Sequence, residues 1–362
     1  MPEPVLSPNA VYSAIPTVRL NGQPDDKVTA QLLAMQMSEY EGGMSSLELR
    51  FSNFGSFAGG VGSQVFEDGK ILKLGVMLDV YGGDVSAPTQ IFHGPVTALE
   101  GRYPKAGPPE LIVLAEDPLQ KARMARRTKT WDSATLSDIV SQIASQLGLT
   151  PQTSGLDANI DTEVQFNESD LHFLRRLLAR NDADVQVVGT ELHAAPRNSV
   201  QRNTISLEMN SQLHELRVIA DLADQVSETT VTGWDYSQGS TISATSSATA
   251  LGPGAGNTGS KWVEQALGKR SEHIAQLHPL NTGEAQSIAD AEFTQRSERF
   301  VVAHGIAEGN PDLRVGTQLT LTGLGDRFNN TYYVTSTVHR FDTMGGYETD
   351  FTAECAYLGG AM

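Results

Sequence analysis

The sequence predicts a β-rich α+β protein in which two β domains flank a small α/β domain. Apolar residues alternate with polar ones over residues 46–51 and 71–81, which is typical of half-buried strands. Apolar spacing typical of helices is strongest near the middle of the chain. The 34 glycines and 16 prolines among 362 residues favour many short strands and turns over long helices. A chain of this length also favours two or three domains over a single core.

Composition shifts along the chain divide it into five segments. The predicted segments are a first β domain over 1–117, a small α/β domain over 118–203, strands of a second β domain over 204–236, a Gly/Ser/Ala-rich linker over 237–282, and a helix with the remainder of the second β domain over 283–362. In the first domain, 111–115 is a short apolar strand. Glycine-rich breaks at Gly59-Gly60-Val61-Gly62 and Gly82-Gly83 are typical of loops in a meander or small barrel.

Two helices and a hairpin are predicted in the α/β domain. Over 133–147 the apolar residues fall on one helical face, with Thr135 suited to cap the start and Gly148 the end. A second helix is predicted over 169–180. Residues 184–194 are typical of a hairpin that turns at Gly189.

The segment 237–259 consists mainly of Ser, Thr, Ala and Gly, which indicates a mobile linker because such a composition offers little to a packed core. A helix is predicted over 283–299. Strands are then predicted over 318–322, 332–338 and 347–353, and these are expected to form the second β domain together with strands from 204–235.

Charge and cysteine content exclude several classes of function. Asp and Glu outnumber Lys and Arg by 43 to 26, so the net charge of −17 disfavours stable binding to nucleic acid or anionic lipid. The single cysteine, Cys355, excludes an intrachain disulfide and is expected to be a buried small side chain. No secretory signal and no run of 18 apolar residues is found, which favours assembly in the bacterial cytoplasm.

Motifs for catalysis and cofactors are weak. The segment Gly254-Ala-Gly-Asn-Thr-Gly259-Ser260-Lys261 differs from a phosphate-binding loop because Ser precedes Lys and no apolar strand leads into it. The eight histidines show no metal-binding spacing, and no Gly-x-Ser-x-Gly elbow occurs. We therefore predict no catalytic residue, no cofactor and no metal site.

A basic cluster interrupts the acidic sequence. Five cationic side chains lie within nine residues: Lys121, Arg123, Arg126, Arg127 and Lys129. A solvated face and screening of the chain's own acids are the simple interpretations. A contact with the carboxylates of a neighbouring copy is the alternative, and Trp234 is a second candidate for such a contact.

Four stretches, in order, resemble one family. Asn167-Glu168-Ser169-Asp170-Leu171-His172-Phe173-Leu174-Arg175-Arg176-Leu177 is similar to the Asn-Glu-Ser-Asp-x-x-Phe-Leu-x-Arg-Leu signature of the phage late control gene D family, which includes the hub portion of type VI secretion VgrG proteins. The other stretches are Phe92-His93-Gly94-Pro95-Val96, Val231-Thr232-Gly233-Trp234-Asp235, and a C-terminal block with Gly316, Gly323, Tyr333, Val334, His339, Tyr347, Thr349 and Phe351. The resemblance spans residues 80–351.

These motif residues have structural interpretations. Ser169 can cap a helix whose positive N-terminus suits Glu168 and Asp170, and Arg175 and Arg176 suit its C-terminal half. The motif glycines, among them Gly233, Gly316 and Gly323, fit bulges or turns. The aromatic residues Trp234, Tyr333 and Tyr347 supply large buried or interface surfaces.

The resemblance implies a non-enzymatic baseplate hub. It implies two tube-type β-barrel domains per chain and a trimer that forms a ring of pseudo-sixfold symmetry. The implied partners are further copies of the chain, the tail tube protein or a tube-initiator ring, the central spike protein, and the tape measure and wedge or LysM-type adaptor proteins. The implied location is the baseplate of a virion tail or phage-like particle.

Because the sequence ends at Met362 without a long repetitive extension, we expect a separate spike protein, which favours a phage tail over a fused secretion hub. The alternatives are a tail-associated peptidoglycan hydrolase, a type VI-like secretion hub and a receptor-binding tail protein. For the last of these, the three tryptophans, Trp131, Trp234 and Trp262, are dispersed in the sequence.

Overall fold

A 13-stranded sheet draws strands from both ends of the chain. The computed structural model describes residues 15–56, 62–66, 69–83 and 87–360. The predicted loop at Gly59, Gly60 and Val61 lies outside these residues, as does the start of the predicted first domain.

The N-terminal part, which we call the first β unit, contains one short helix, α1 (Asp26–Ala30). Its strands are β1 (Thr17–Leu20), β2 (Gln23–Pro24), β3 (Leu32–Tyr40), β4 (Ser46–Ser52), β5 (Gly55–Ser56), β6 (Gly62–Ser63), β7 (Met77–Gly82), β8 (Thr89–Arg102) and β9 (Glu110–Glu116). Alternate residues of β4, including Leu49 and Phe51, are buried in its core, as the period of two predicts. The run predicted over 71–81 is a strand only from Met77, because Gly75 turns the chain with a φ of 80°.

The next part, which we call the α/β module, begins with a 3₁₀ helix (Pro118–Arg123). Its further elements are β10 (Arg126–Thr135), α2 (Leu136–Leu147), β11 (Thr150–Thr153), β12 (Asn159–Ser169), α3 (Asp170–Ala179), β13 (Ala183–Val188), β14 (Glu191–Pro196) and a second 3₁₀ helix (Arg197–Ser199). Both predicted helices are confirmed. Thr135 caps α2 in a capping box with Asp138, and Gly148 ends it with a φ of 77°. The hairpin of β13 and β14 is also confirmed.

The C-terminal part contributes strands to three sheets and contains two helices. Its elements are β15 (Thr204–Glu208), β16 (Leu213–Ala220), β17 (Glu228–Asp235), β18 (Ser240–Ser246), β19 (Asn257–Thr258), α4 (Gly259–Leu267), β20 (Ser271–Ile274), α5 (Thr282–Glu298), β21 (Val301–Glu308), β22 (Gln318–Thr322), β23 (Asn330–Asp342), β24 (Gly346–Cys355) and β25 (Tyr357–Leu358). We call β15, β16 and β21–β24 the second β unit, and residues 221–300 the insertion.

Two predictions for this part are corrected. The predicted linker over 237–282 contains β18, β19, α4 and β20, because a few apolar side chains, such as Ile242 and Ala244, are sufficient to pack against α5. The strand β17, which was assigned to the second β domain, pairs instead with β18 and β20 in a separate three-stranded sheet. The predicted helix over 283–299 is confirmed as α5.

The two β units share one strand order. In the first unit the order across the sheet is β1-β7-β8-β9-β4-β3, and in the second it is β15-β22-β23-β24-β21-β16. When the six strands in each of these orders are numbered along the chain, which leaves out the two-residue strands β2, β5 and β6, both orders are 1-4-5-6-3-2. One pairing differs: β1 runs antiparallel to β7, whereas β15 runs parallel to β22.

The likeness extends to single residues. The pairing of strand 5 with strand 6 shifts register between Val96 and Ala98 in the first unit and between Val334 and Ser336 in the second. The residue between them is threonine in both, and its hydroxyl donates across the sheet to a backbone carbonyl at 3.3 Å, from Thr97 to Leu114 and from Thr335 to Thr352. The two units are therefore structural repeats with a matching β-bulge.

The units join along one pair of strands. Residues 34–40 of β3 pair antiparallel with 336–342 of β23, and we call this pairing the seam. Within the described residues neither unit closes into the predicted barrel, because the sheet ends on the single-paired strands β2, β15 and β16.

Candidate functional site

A buried ion pair lies at the seam. Glu39 of β3 is fully buried, and its carboxylate accepts hydrogen bonds from Nε and Nη2 of Arg314 at 2.7 and 3.1 Å. The backbone N–H of Val315 and the hydroxyl of Thr337 also donate to it. Burial alone raises the pKa of Glu39, but Arg314 and Arg202 outweigh burial and hold the pKa below its usual value. Glu39 therefore stays ionised inside the protein and ties the loop before β22 to the seam.

Next to this pair, His339 is buried and uncharged. Its Nδ1 lies 2.8 Å from the hydroxyl of Tyr347. Burial and the nearby charge of Arg314 lower the pKa of His339 to about 3. The structure thus brings together two residues of the predicted C-terminal block, in a packing role.

A second buried cation contacts four parts of the chain. Arg197 begins the second 3₁₀ helix of the α/β module and is 6% exposed. Its guanidinium lies 2.7 Å from Glu41 of the first β unit and 2.6 Å from Glu354 of the second, and it also pairs with Glu298 of the insertion. It stacks 4.7 Å above the ring of Tyr333, another residue of the predicted motif. We call these residues the Arg197 cluster, and they fix the relative positions of the four parts.

The Arg197 cluster holds more carboxylates than cations. Burial raises the pKa of Glu41 to about 8, even though Arg197 lowers it. Unfolded Glu41 titrates near 4.5, so between pH 4.5 and 8 the folded state binds more protons than the unfolded state. Stability is therefore expected to fall as pH rises through this window.

We expect the Glu41→Gln variant to reduce this fall, which thermal unfolding from pH 5 to 8.5 would measure. Asp182, whose pKa burial raises to about 7, acts in the same direction, so part of the slope should remain. Glu348→Gln, at a partly exposed carboxylate, is the control and should leave the slope unchanged. An identical slope in wild type and Glu41→Gln would contradict this assignment.

The turn between β3 and β4 docks on the α/β module through polar contacts. Arg175 donates from Nε to the carbonyl of Gly42 at 2.8 Å and from Nη2 to that of Gly43 at 3.1 Å. Asp184 accepts the N–H of Gly42 at 2.9 Å. A Cβ on Gly43 would lie 2.8 Å from Leu119, so this approach requires glycine.

The signature motif surrounds α3. Ser169 caps the helix through the N–H of His172, and Phe173 stacks on Trp131 with ring centroids 6.0 Å apart. Arg176 pairs with Glu163 at 2.6 Å and with Glu168 at 2.8 Å. Asn167 takes a left-handed φ of 48° where β12 approaches the helix.

The basic cluster borders this motif. Arg127 pairs with Asp170 at 3.1 Å, and Arg126 donates to the carbonyl of Asn167 at 3.1 Å. Arg123 pairs with Glu116, and Nζ of Lys129 lies 3.3 Å from the centroid of Trp131. Lys121 is exposed. Four of the five cations therefore contact groups of this chain, and a contact between subunits stays a prediction for all five.

The remaining motif residues lie elsewhere. Trp234 is half exposed on β17 of the insertion sheet, so it does not share a sheet with the basic cluster. A Cβ on Gly233 would lie 2.8 Å from Pro279. Gly316 and Gly323 both take positive φ, 84° and 79°, on either side of β22.

Sequence reasoning missed the buried charges. Glu39, Glu41, Arg197 and Arg314 belong to residue types that are rarely buried unless paired. Their partners lie far away in the chain. A weak signal was present in β3, where Glu39 interrupts an otherwise apolar inward face.

A cleft of about 720 Å³ opens where the first β unit, the α/β module and the second β unit meet. Its walls include Gln90, His93, Asp184, His193, Arg202 and Arg314. In the part of the chain that the structure describes, no group of three His, Cys, Asp or Glu side chains is placed to hold a metal ion. Burial raises the pKa of Cys355 to about 12, so its buried thiol stays protonated. Over the same residues, no helix is long and apolar enough to span a bilayer.

Solved structures share this fold over nearly the whole chain. The 43 kDa tail protein of prophage MuSo2 from Shewanella oneidensis aligns with a TM-score of 0.69 at 12% identity, covering 94% of this chain and 98% of that one. A tail protein of Neisseria meningitidis MC58 aligns with a TM-score of 0.65 at 10% identity, covering 94% and 96%. The c3393 protein of E. coli, a component of the type VI secretion system, aligns with a TM-score of 0.55 at 12% identity, covering 95% and 79%. The fold is that of phage tail proteins.

Sequence comparisons are more limited. The chain has no match among curated proteins. The family model that matches is described as the Alg8 N-terminal domain, and it covers residues 61–343. It is a different family from late control gene D, whose motifs the sequence resembles. Because the match spans well over half of the sequence, the chain belongs to the Alg8 N-terminal domain family.

Proposed function

We propose that the chain is a structural component of a phage tail or phage-like injection particle, namely a baseplate hub of the late control gene D type. In this role three copies form a ring that joins the sixfold tail tube to the threefold central spike. The tail-protein fold supports the proposal.

The observation that carries the proposal is the structural repeat. Each chain holds two β units with one strand order and a matching bulge, side by side in a single sheet. Three copies would present six similar units around an axis, while their sequence would repeat only three times. Such a ring can contact a sixfold partner on one face and a threefold partner on the other.

The internal charges suit a protein that must keep its shape under mechanical force. Glu39 and Arg197 link parts that are distant in sequence, and both sit among paired groups in the interior. Buried, paired charges of this kind fix one arrangement of the parts. We propose that they keep tube and spike coaxial during contraction.

The proposal predicts a defined oligomer. Light scattering after size exclusion should give a mass of about 117 kDa, three copies of the 38.9 kDa chain. A stable assembly of this kind should bury more than about 2,000 Å². A lone monomer at every concentration would contradict the hub. Clearing of peptidoglycan in a zymogram by the purified chain would favour the hydrolase instead.

A further inference from the structure

Among the strand edges of the large sheet that are unpaired within the described residues, two belong to β8 and β16. Residues 98–102 of β8 pair with β9 on one side, whereas on the other side β7 reaches only to Pro95 and the backbone of Val96 bonds to Gly75 and Val76. Strand β16 pairs with β21 alone and ends the sheet. Unpaired backbone edges of this kind are templates for pairing with another strand.

These two edges are equivalent to the two strands of the seam. The C-terminal half of β8 is strand 5 of the first unit, and its counterpart in the second unit is β23, which binds β3. Strand β16 is strand 2 of the second unit, and its counterpart is β3 itself. The chain thus contains one complete seam and the two separate halves of another.

The correspondence also holds residue by residue. Strand β3 shifts register against β4 between Leu32 and Ala34, and β16 shifts register against β21 between Leu213 and Glu215. From these shifts Ser38 corresponds to Ile219. The bulges at Thr97 and Thr335 likewise place Ala98 in correspondence with Ser336.

We propose that β16 of one copy pairs antiparallel with 98–104 of the next copy, as a second seam. The proposal deepens the ring assembly proposed above and rests on it. Applying the seam register, in which Thr337 lies opposite Glu39, places Leu99 opposite Ala220. The same register places Gly101 opposite Val218 and Arg102 opposite Arg217.

Both edges expose apolar side chains, which lie on opposite faces of the proposed strand pair. Leu99, Tyr103 and Ile219 are exposed apolar residues, at 38%, 65% and 37%. Pairing would cover them with the edge of another copy, as strand addition does in other assemblies.

One face of the two edges carries both cations and acids, and its two cations lie directly opposite each other, which alone is unfavourable. Arg102 and Arg217 lie opposite each other, but each has an acidic diagonal neighbour in this register. Glu215 is diagonal to Arg102, and Glu100 is diagonal to Arg217. Diagonal neighbours in an antiparallel pair lie about 7–8 Å apart, within reach of long side chains.

The backbone of β16 has donors available on the required side. The N–H of Asp221 donates towards Phe300, on the β21 side. Because N–H groups alternate along a strand, those of Ala220 and Val218 point to the free edge. In the seam the N–H of Glu41, which is two residues from Glu39, points in the corresponding direction and donates to Thr335.

Cysteine cross-linking of the full chain tests the register. In the Leu99→Cys, Ala220→Cys double variant, oxidation should produce disulfide-linked dimers and trimers that reductant removes, because directly opposite residues lie within disulfide reach. The control is Leu99→Cys with Ser206→Cys, which places the second thiol on the free edge of β15 instead. Only background linkage is expected there. Cys355 is buried and should not contribute.

A proline variant tests the backbone contact. Ala220→Pro removes a donor that faces the free edge and leaves the hydrogen bonds to β21 in place. We expect its oligomer to dissociate at a concentration higher by about tenfold or more, with an unchanged far-UV spectrum. If this variant fails to fold, the cross-linking result decides.

The results of these experiments distinguish failure of the second seam from failure of the hub proposal. A 117 kDa oligomer that cross-links no better in the first pair than in the control would overturn the second seam and leave the hub standing. A chain that is monomeric at all concentrations would overturn both. Cross-linked trimers in the first pair alone would support both.

Discussion

Replacing Arg197 with methionine is expected to lower the free energy of unfolding by about 3–5 kcal/mol. Arg197 is the cation that faces Glu41, Glu298 and Glu354, and its removal leaves these carboxylates without their shared counter-charge. Methionine fills similar space but supplies neither charge nor donors. Urea unfolding followed by circular dichroism would measure the loss.

Arg299→Met is the matched control for this variant. Arg299 lies 3.9 Å from the same Glu354, but its side chain is 64% exposed, so its loss should cost less than about 1 kcal/mol. Combining Arg197→Met with Glu298→Gln should restore part of the lost stability, because one uncompensated carboxylate is removed. Equal losses for Arg197→Met and Arg299→Met would show that the Arg197 cluster does not hold the parts together.

Replacing Glu39 with glutamine should have a similarly large effect, also about 3–5 kcal/mol. Glutamine keeps the volume at the seam but leaves the buried guanidinium of Arg314 without its carboxylate. Because the pKa of folded Glu39 lies below that of the unfolded chain, its contribution is complete above about pH 4.5 and disappears as pH falls through the folded pKa. The difference between wild type and variant should therefore shrink in acid.

Urea titrations of both proteins at pH 7 and pH 3 would test this effect. The control is Glu348→Gln, which removes a partly exposed carboxylate 3.6 Å from Arg340 and should change stability by less than about 1 kcal/mol. A variant at Glu39 that is as stable as wild type at pH 7 would remove Glu39 from the residues that hold the seam. The double variant Glu39→Leu, Arg314→Met should recover much of the loss, since it removes both charges together.

Local elements could be predicted from this sequence, because their signals lie within a few residues of one another. The cap at Thr135, the apolar face of α2 and the glycine at 148 occupy one short segment, and the helix forms there. The β-rich class followed in the same way from alternating patterns such as that of β4. These patterns state which side of a strand is buried.

The pairing of strands could not be predicted, because an alternating pattern does not show which other strand lies beside it. Strand β3 pairs with residues about 300 positions away, in the seam. For the same reason, the sequence pattern does not show that β17 lies in the sheet of the insertion. Residues 237–282 have the composition of a linker, because β18 buries small side chains such as Ala244, which contribute little hydrophobicity to the sequence pattern.

The candidate site is formed by contacts between residues that lie far apart in the sequence. Arg197 and Glu354 are a buried pair only after the chain has folded around them. The motif residues His339, Tyr347 and Tyr333 could be named from the resemblance, but their positions beside Glu39 and Arg197 required the structure.

The insertion of 221–300 between strands 2 and 3 occurs in the second β unit and has no counterpart between β3 and β4, which are joined by a short turn. In a closed assembly of three chains, alternate positions around the circumference would therefore carry an extra sheet and two helices, while the positions between them would not. A partner that touches only the strands would meet six nearly equal contacts. A partner that reaches the circumference would contact three copies of the insertion. One polypeptide can therefore offer six nearly equal contacts to one neighbour and three contacts to another.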